Sequence, residues 1–160
     1  MFADITNHQY VIMKKLFLGT TILTTLLASY SFTLQTNADA ILGSWKNGEG
    51  TGIIQIYKNA DKYQGKITWL KEPNDPETGK PKLDKNHPDE KNHSRPVMGL
   101  TNIWGFKYSS AKEWTGGKIY DPKNGKTYSC KIVMENNNSL KVRGFIGISL
   151  IGRTDTWTRQ

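Results

Sequence analysis

Asp84, His87, Asp89, Glu90 and His93 stand within ten residues of one another. Imidazole and carboxylate are the ligand types of a transition-metal ion. Their spacing follows no ligand motif, however, and a charged, solvated loop accounts for the same composition, so neither a metal nor a cofactor is expected. A second set is polar: Asp84, Asn86, Arg95, Asp121 and Arg143. Brought to one rim, Arg95 and Arg143 would offer bidentate contacts to a carboxylate or phosphate, which makes both candidate ligand-binding residues. A carboxylate pair acting on a glycan is the one hydrolytic arrangement such a rim leaves open. The chain has no G-x-S-x-G and no H-E-x-x-H. No histidine is near Cys130 in sequence, so the lone thiol reads as a small buried apolar residue. An enzyme is therefore not the expected reading.

A third set is aromatic. Tyr57, Tyr63, Trp69, Trp104, Tyr120 and Tyr128 alternate with polar neighbours. Rings on the inner face of a sheet either wall a small-molecule cavity or fill the interior outright, and both readings stand. We take these six as candidate ligand-binding residues.

Strands must position these groups. Lys62 to Leu70 alternates, with Tyr63, Gly65, Ile67 and Trp69 on one face. Ile53 to Lys58 is rich in β-formers. Trp114 to Tyr128 reads as strand, turn, strand. Asp121-Pro122 opens the turn and Asn124-Gly125 closes it. Asp121 and Gly125 are therefore structural: the Asp side chain accepts turn amides and the Gly takes positive φ. Tyr128 to Met134, Leu140 to Phe145 and Arg153 to Arg159 alternate in the same way. Val97 to Tyr108 is apolar but interrupted by Gly99 and Gly105. Lys71 to Pro96 breaks the pattern, with most of the prolines and almost no apolar residue, and is expected to be a functional or disordered loop. About eight short strands without a helix predict an all-β protein, a small antiparallel up-and-down barrel. Closure removes the exposed edges.

The front of the chain is different. Met13-Lys14-Lys15 precedes an apolar run from Leu16 to Leu27, and Ala38-Asp39-Ala40 fits a secretory cleavage site. The expected organisation is an upstream extension over residues 1–12, a signal peptide over 13–40, and a barrel domain over 41–160. The apolar run is short of the ~20 residues a bilayer span needs, so no stable membrane span remains after cleavage. The net charge of +8 favours anionic envelope components as partners. Export and the scatter of the lysines argue against nucleic acid.

Gly43-x-Trp45 on the first strand and Arg153 on the last resemble the lipocalin pattern, in which the arginine packs over the Trp ring at the closed end. The resemblance makes Gly43, Trp45 and Arg153 structural. A closer resemblance is to the exported bacterial family "domain of unknown function 2147". It rests on G-S-W at Gly43, D-x-N at Asp84 to Asn86 with its neighbour His87, R-P-V-M-G-L from Arg95, and W-T-G-G-K-I-Y-D-P-K-N-G-K-T-Y from Trp114. V-R-G-F-I-G from Val142 and G-R-T-D-T-W to Trp157 complete it. The resemblance implies a lipocalin-like barrel in the periplasm or secreted, and no established activity. The expected function is an exported binder of a small apolar or amphipathic molecule. The alternatives are an envelope structural or interaction protein with a filled barrel and a basic outer face, and a hydrolase with its site at the barrel mouth.

Overall fold

A computed structural model of the chain describes residues 37–160 apart from Ala111. The extension and the leader as far as Thr36 lie outside the described residues. Eight strands follow in order: β1 (Gly43–Lys46), β2 (Gly52–Asn59), β3 (Lys62–Leu70), β4 (Thr101–Ser110), β5 (Glu113–Asp121), β6 (Lys126–Asn136), β7 (Ser139–Phe145) and β8 (Gly152–Arg159). Each pairs antiparallel with its neighbour, and β8 returns to β1 through Trp45 opposite Arg159 and Lys46 opposite Thr158. The barrel is therefore closed and leaves no free edge. As alternation predicts, Ile54, Ile56, Ile67, Cys130, Ile132, Met134, Leu140 and Val142 point inward and are buried.

One end of the barrel is plugged. A short 3-10 turn, Asn37–Ile41, closes it. Trp114 Nε1 donates to Ala38 O at 3.1 Å, and the Tyr63 hydroxyl donates to Asp39 Oδ1 at 2.5 Å. Burial and the Asp39 carboxylate push the Tyr63 phenol well above its ordinary value. Residues 37–40 thus pack with the barrel, and the compact body runs from Asn37 to Gln160, with Ile41 in its core.

The arginine over Trp45 is Arg159, not Arg153. Its guanidinium lies 4.1 Å from the ring centre. It also donates to Asn137 O at 2.6 Å, Ala40 O at 2.7 Å and Leu42 O at 2.9 Å. Arg153 shares the inward parity of Arg159 but lies six residues up the strand, about 20 Å away at the open end. There it is exposed and approaches Glu49 at 3.6 Å. Gly43 fits the expected structural role, because its φ is +126° and a Cβ there would meet Arg159 Nη1 at 2.8 Å.

The long connection between β3 and β4 is ordered. Asn74 pairs with Pro81 and Leu83 with Pro96 as isolated bridges, and Glu90–Asn92 forms a 3-10 turn capped by Asp89. No helix of the described residues is long and apolar enough to cross a membrane.

The two arginines separate in a stability measurement. Arg159→Ala removes a cation–π contact and three hydrogen bonds to carbonyls, and is expected to cost about 2–4 kcal/mol. Arg153→Ala is expected to stay within about 0.5 kcal/mol of the parent. Urea unfolding of both variants checks this, and equal losses would refute the assignment.

Candidate functional site

The open end leads into a cavity of about 1080 Å³. Its walls include Ile54, Ile67, Ile119, Tyr128, Val142 and Trp157. Below them the barrel is filled by Trp45, Trp114, Phe106, Ile103, Ile132 and Leu140, all essentially inaccessible. Ile54, Ile67, Val142 and Trp157 are themselves only 2–6% accessible, so the space narrows downward and its open volume lies in the upper half. The barrel is packed at the closed end and hollow near the mouth.

One side of the mouth is the β3–β4 loop, held by a single buried carboxylate. Asp84 has no accessible surface. Arg95 donates to its Oδ2 through Nε at 2.8 Å and sits at 2.7 Å through Nη2. The Tyr120 hydroxyl donates to Oδ1 at 2.6 Å. The backbone closes the same corner, with Asp84 N donating to Arg95 O at 2.9 Å. Two residues on, Asn86 Nδ2 donates to Pro122 O at 3.2 Å and Lys123 O at 3.0 Å. Asn86 O lies so close to Gly125, whose φ is +70°, that a Cβ there would collide with it. The loop is therefore stapled to the β5–β6 hairpin at two points. Asp121 plays its expected part in that hairpin, accepting Lys123 N on Oδ1 and Asn124 Nδ2 on Oδ2, each at 2.9 Å.

The opposite side of the mouth is the β7–β8 loop. Ile146, Ile148, Leu150 and Ile151 are 60–85% exposed there, and Ile146 and Ile151 also line the cavity. Arg143 holds this loop from outside. It donates to Ser149 O at 2.7 Å, Thr154 Oγ1 at 2.8 Å and Leu150 O at 3.2 Å. Three ion pairs stand on the charged rim: Lys123 meets Glu49 at 2.6 Å, Lys85 meets Asp75 at 2.9 Å and Lys82 meets Glu72 at 3.2 Å.

Of the candidate ligand-binding residues, Tyr120 and Tyr128 line the cavity and the others do not. Tyr63 is buried in the closed-end core, edge-on to Trp114. Tyr57 lies outside under Lys66 and accepts from Gln64 Nε2 at 2.8 Å. Trp69 is 39% exposed under Lys46, because β2 and β3 slip register between Ile53 and Ile54 and the alternation breaks after Ile67. Trp104 faces outward because β4 buries two successive residues, Asn102 and Ile103. Arg95 is engaged with Asp84, and Arg143 is engaged with the loop it supports. His87 and His93 serve loop hydrogen bonds, His87 Nδ1 accepting Asp89 N at 2.9 Å and His93 Nε2 lying 2.8 Å from His87 O. Among the described residues no three His, Cys, Asp or Glu side chains gather as a metal site.

Three lining groups went unforeseen: Trp157, whose Nε1 donates to Asp155 Oδ2 at 2.9 Å; Asp155 itself; and Asn102. Trp157 and Asp155 carry an alternation signal in β8. Asn102 carries none, because an irregularity where β4 meets β3 between Gly65 and Lys66 turns it inward.

The profile of a family described as "Uncharacterized protein conserved in bacteria (DUF2147)" matches residues 43–159. No curated protein matches the sequence. Among solved structures the chain is similar to protein HP1028 from the human pathogen Helicobacter pylori, described as belonging to the lipocalin family. The TM-score is 0.65 at 22% identity, over 75% of this chain and 82% of that one. That similarity establishes the lipocalin-like fold.

The staple titrates. Burial first, and then the hydrogen bond to Asp84, raise the Tyr120 phenol from 10.0 to about 12. The folded protein thus holds a proton that the unfolded chain releases, and its stability falls as pH rises from about 10 to about 12. Tyr120→Phe is expected to cost about 1.5–3 kcal/mol at pH 7 and to flatten that alkaline decline. Urea unfolding across this range checks it, and an unchanged alkaline slope would contradict the pairing.

Proposed function

The chain belongs to that bacterial family, and from this premise we propose that it is a binding protein that holds a small apolar or amphipathic molecule in the upper half of its barrel. The observation that carries the reading is the open cavity of about 1080 Å³, in which aliphatic and aromatic side chains such as Ile54, Ile67, Ile119, Tyr128, Val142 and Trp157 stand among a charged rim. A space of this size accommodates a molecule of several hundred daltons and buries most of its surface. Burial of apolar ligand area, at roughly 25 cal/mol per Å², supplies the driving force. The wall residues belong to strands fixed by closure, so the site is largely pre-formed and binding costs little ordering.

Binding rather than turnover is proposed because the buried polar groups are spent on structure. The Asp84 carboxylate is saturated by Arg95 and Tyr120, and the rim carboxylates Glu49, Glu72 and Asp75 are paired with cations. A general acid or base needs a proton it can exchange with substrate. The basic start at Lys14-Lys15 and the apolar run from Leu16 to Leu27 support a working place in the periplasm or outside the cell. The basic surface supports contact with anionic envelope material there.

Phenylnaphthylamine, an uncharged apolar fluorophore, tests the reading. It is expected to bind saturably at one site and to quench Trp157, the one tryptophan among the cavity-lining residues. Trp157→Phe is expected to lose most of the quenching while the fluorophore's own emission still reports binding. Gly144→Leu is expected to weaken binding at least tenfold without loss of fold. A Cβ at Gly144 meets only ordinary contacts, at 3.5 Å from Ile119 Cγ2 and 3.7 Å from Tyr128 Cβ, and the added side chain occupies the cavity. A fluorophore whose emission is unchanged by the native protein would overturn the proposal.

A further inference from the structure

Asn102 is 7% exposed and lines the cavity, and its Oδ1 is the one buried side-chain polar atom without a hydrogen-bond partner among the described residues. A buried amide left unpaired costs about 1–3 kcal/mol. Three other polar side chains on the wall have partners within the protein. Tyr120 donates to Asp84, Trp157 donates to Asp155, and the Tyr128 hydroxyl lies 3.2 Å from Asn124 Nδ2. Asn102 is also placed there by an irregularity in β4, where adjacent Asn102 and Ile103 are both buried, and such bulges re-aim side chains. The cavity wall to which it belongs includes the aliphatic residues Ile54, Ile67, Val97 and Ile119. An isosteric leucine would suit a purely apolar interior better.

Resting on the binding role above, we propose that Asn102 is the polar anchor of the cavity and that its ligand is an amphipathic molecule with an uncharged hydroxyl or amide group. The group must offer a hydrogen to the orphaned carbonyl oxygen. A carboxylate or phosphate has none to offer, and its charge would enter an apolar space without a counter-ion. Lys82, Lys85 and Lys123 at the rim are paired with Glu72, Asp75 and Glu49. A plain hydrocarbon leaves the amide unpaired. A hydroxyl or amide carries the hydrogen that the Asn102 oxygen lacks. The apolar remainder of the ligand then extends along the walls toward Ile146 and Ile151 at the mouth.

Displacement of phenylnaphthylamine by dodecanol, dodecyl methyl ether and dodecanoate tests the anchor. The native protein is expected to prefer the alcohol over both by about tenfold. Asn102→Leu is expected to retain the fluorophore and to bind alcohol and ether equally. The Asn102 side-chain amide signal in the native protein gives a reading independent of any variant: it is expected to shift on adding dodecanol and to stay fixed with the ether. Fluorophore uptake without a preference for the alcohol, a preference that survives in Asn102→Leu, or an amide signal indifferent to the alcohol would each overturn the anchor alone. Failure of the native protein to take up the fluorophore would instead overturn the binding role, and the anchor with it.

Discussion

A carboxylate with no accessible surface is the constraint on which the mouth of this barrel depends. Removing an ion from water costs several kcal/mol, and Asp84 is tolerable only because Arg95 and Tyr120 surround it. Satisfying the charge has a geometric consequence. Asp84 and Arg95 sit near the two ends of the same loop segment, while Tyr120 sits on β5. One carboxylate therefore folds the loop back on itself and fastens it to the barrel wall. Asn86 repeats the attachment at the hairpin turn, and Gly125 lacks a Cβ where the loop backbone passes. A proline-rich segment that buries little apolar surface is thereby held beside the mouth without filling it.

The other end of the barrel is organised around the opposite requirement. Trp45, Trp114 and Phe106 fill the interior, and the carbonyls of the 3-10 plug find donors in Arg159, Trp45 and Trp114. Packing of this kind leaves no room for a ligand. The division into a packed lower half and an open upper half reconciles the filled and hollow readings of the aromatic residues. Tyr63 belongs to the first, and Tyr120 and Tyr128 face the second.

Much of this was legible in the sequence because it depends on local chemistry. Asp121-Pro122 and Asn124-Gly125 specify a turn wherever they stand between strands, and Gly43-x-Trp45 marks the closed end. What escaped depends on register. Arg153 and Arg159 share one parity, and only the pairing of β1 with β8 decides which of them meets Trp45. Trp69 and Trp104 follow the alternation of their strands in sequence, yet irregular pairing turns both outward. The same kind of irregularity brings Asn102 inward, so the one buried side-chain polar atom left unpartnered among the described residues left no trace in the pattern. Arg143 looked like an anion binder because guanidinium chemistry is the same for a ligand carboxylate and for the carbonyls of a neighbouring loop.

In the proposed binding mode an amphipathic chain enters the hollow upper half of the barrel from the mouth. Crystals soaked with an alkanol brominated at its far end would test this most directly, since anomalous scattering locates the bromine without reference to any assumed pose. The bromine is expected inside the mouth near Ile146 and Ile151, joined by continuous chain density to a hydroxyl at Asn102. An interior without density, or bromine found only on the outer surface of the protein, would contradict it.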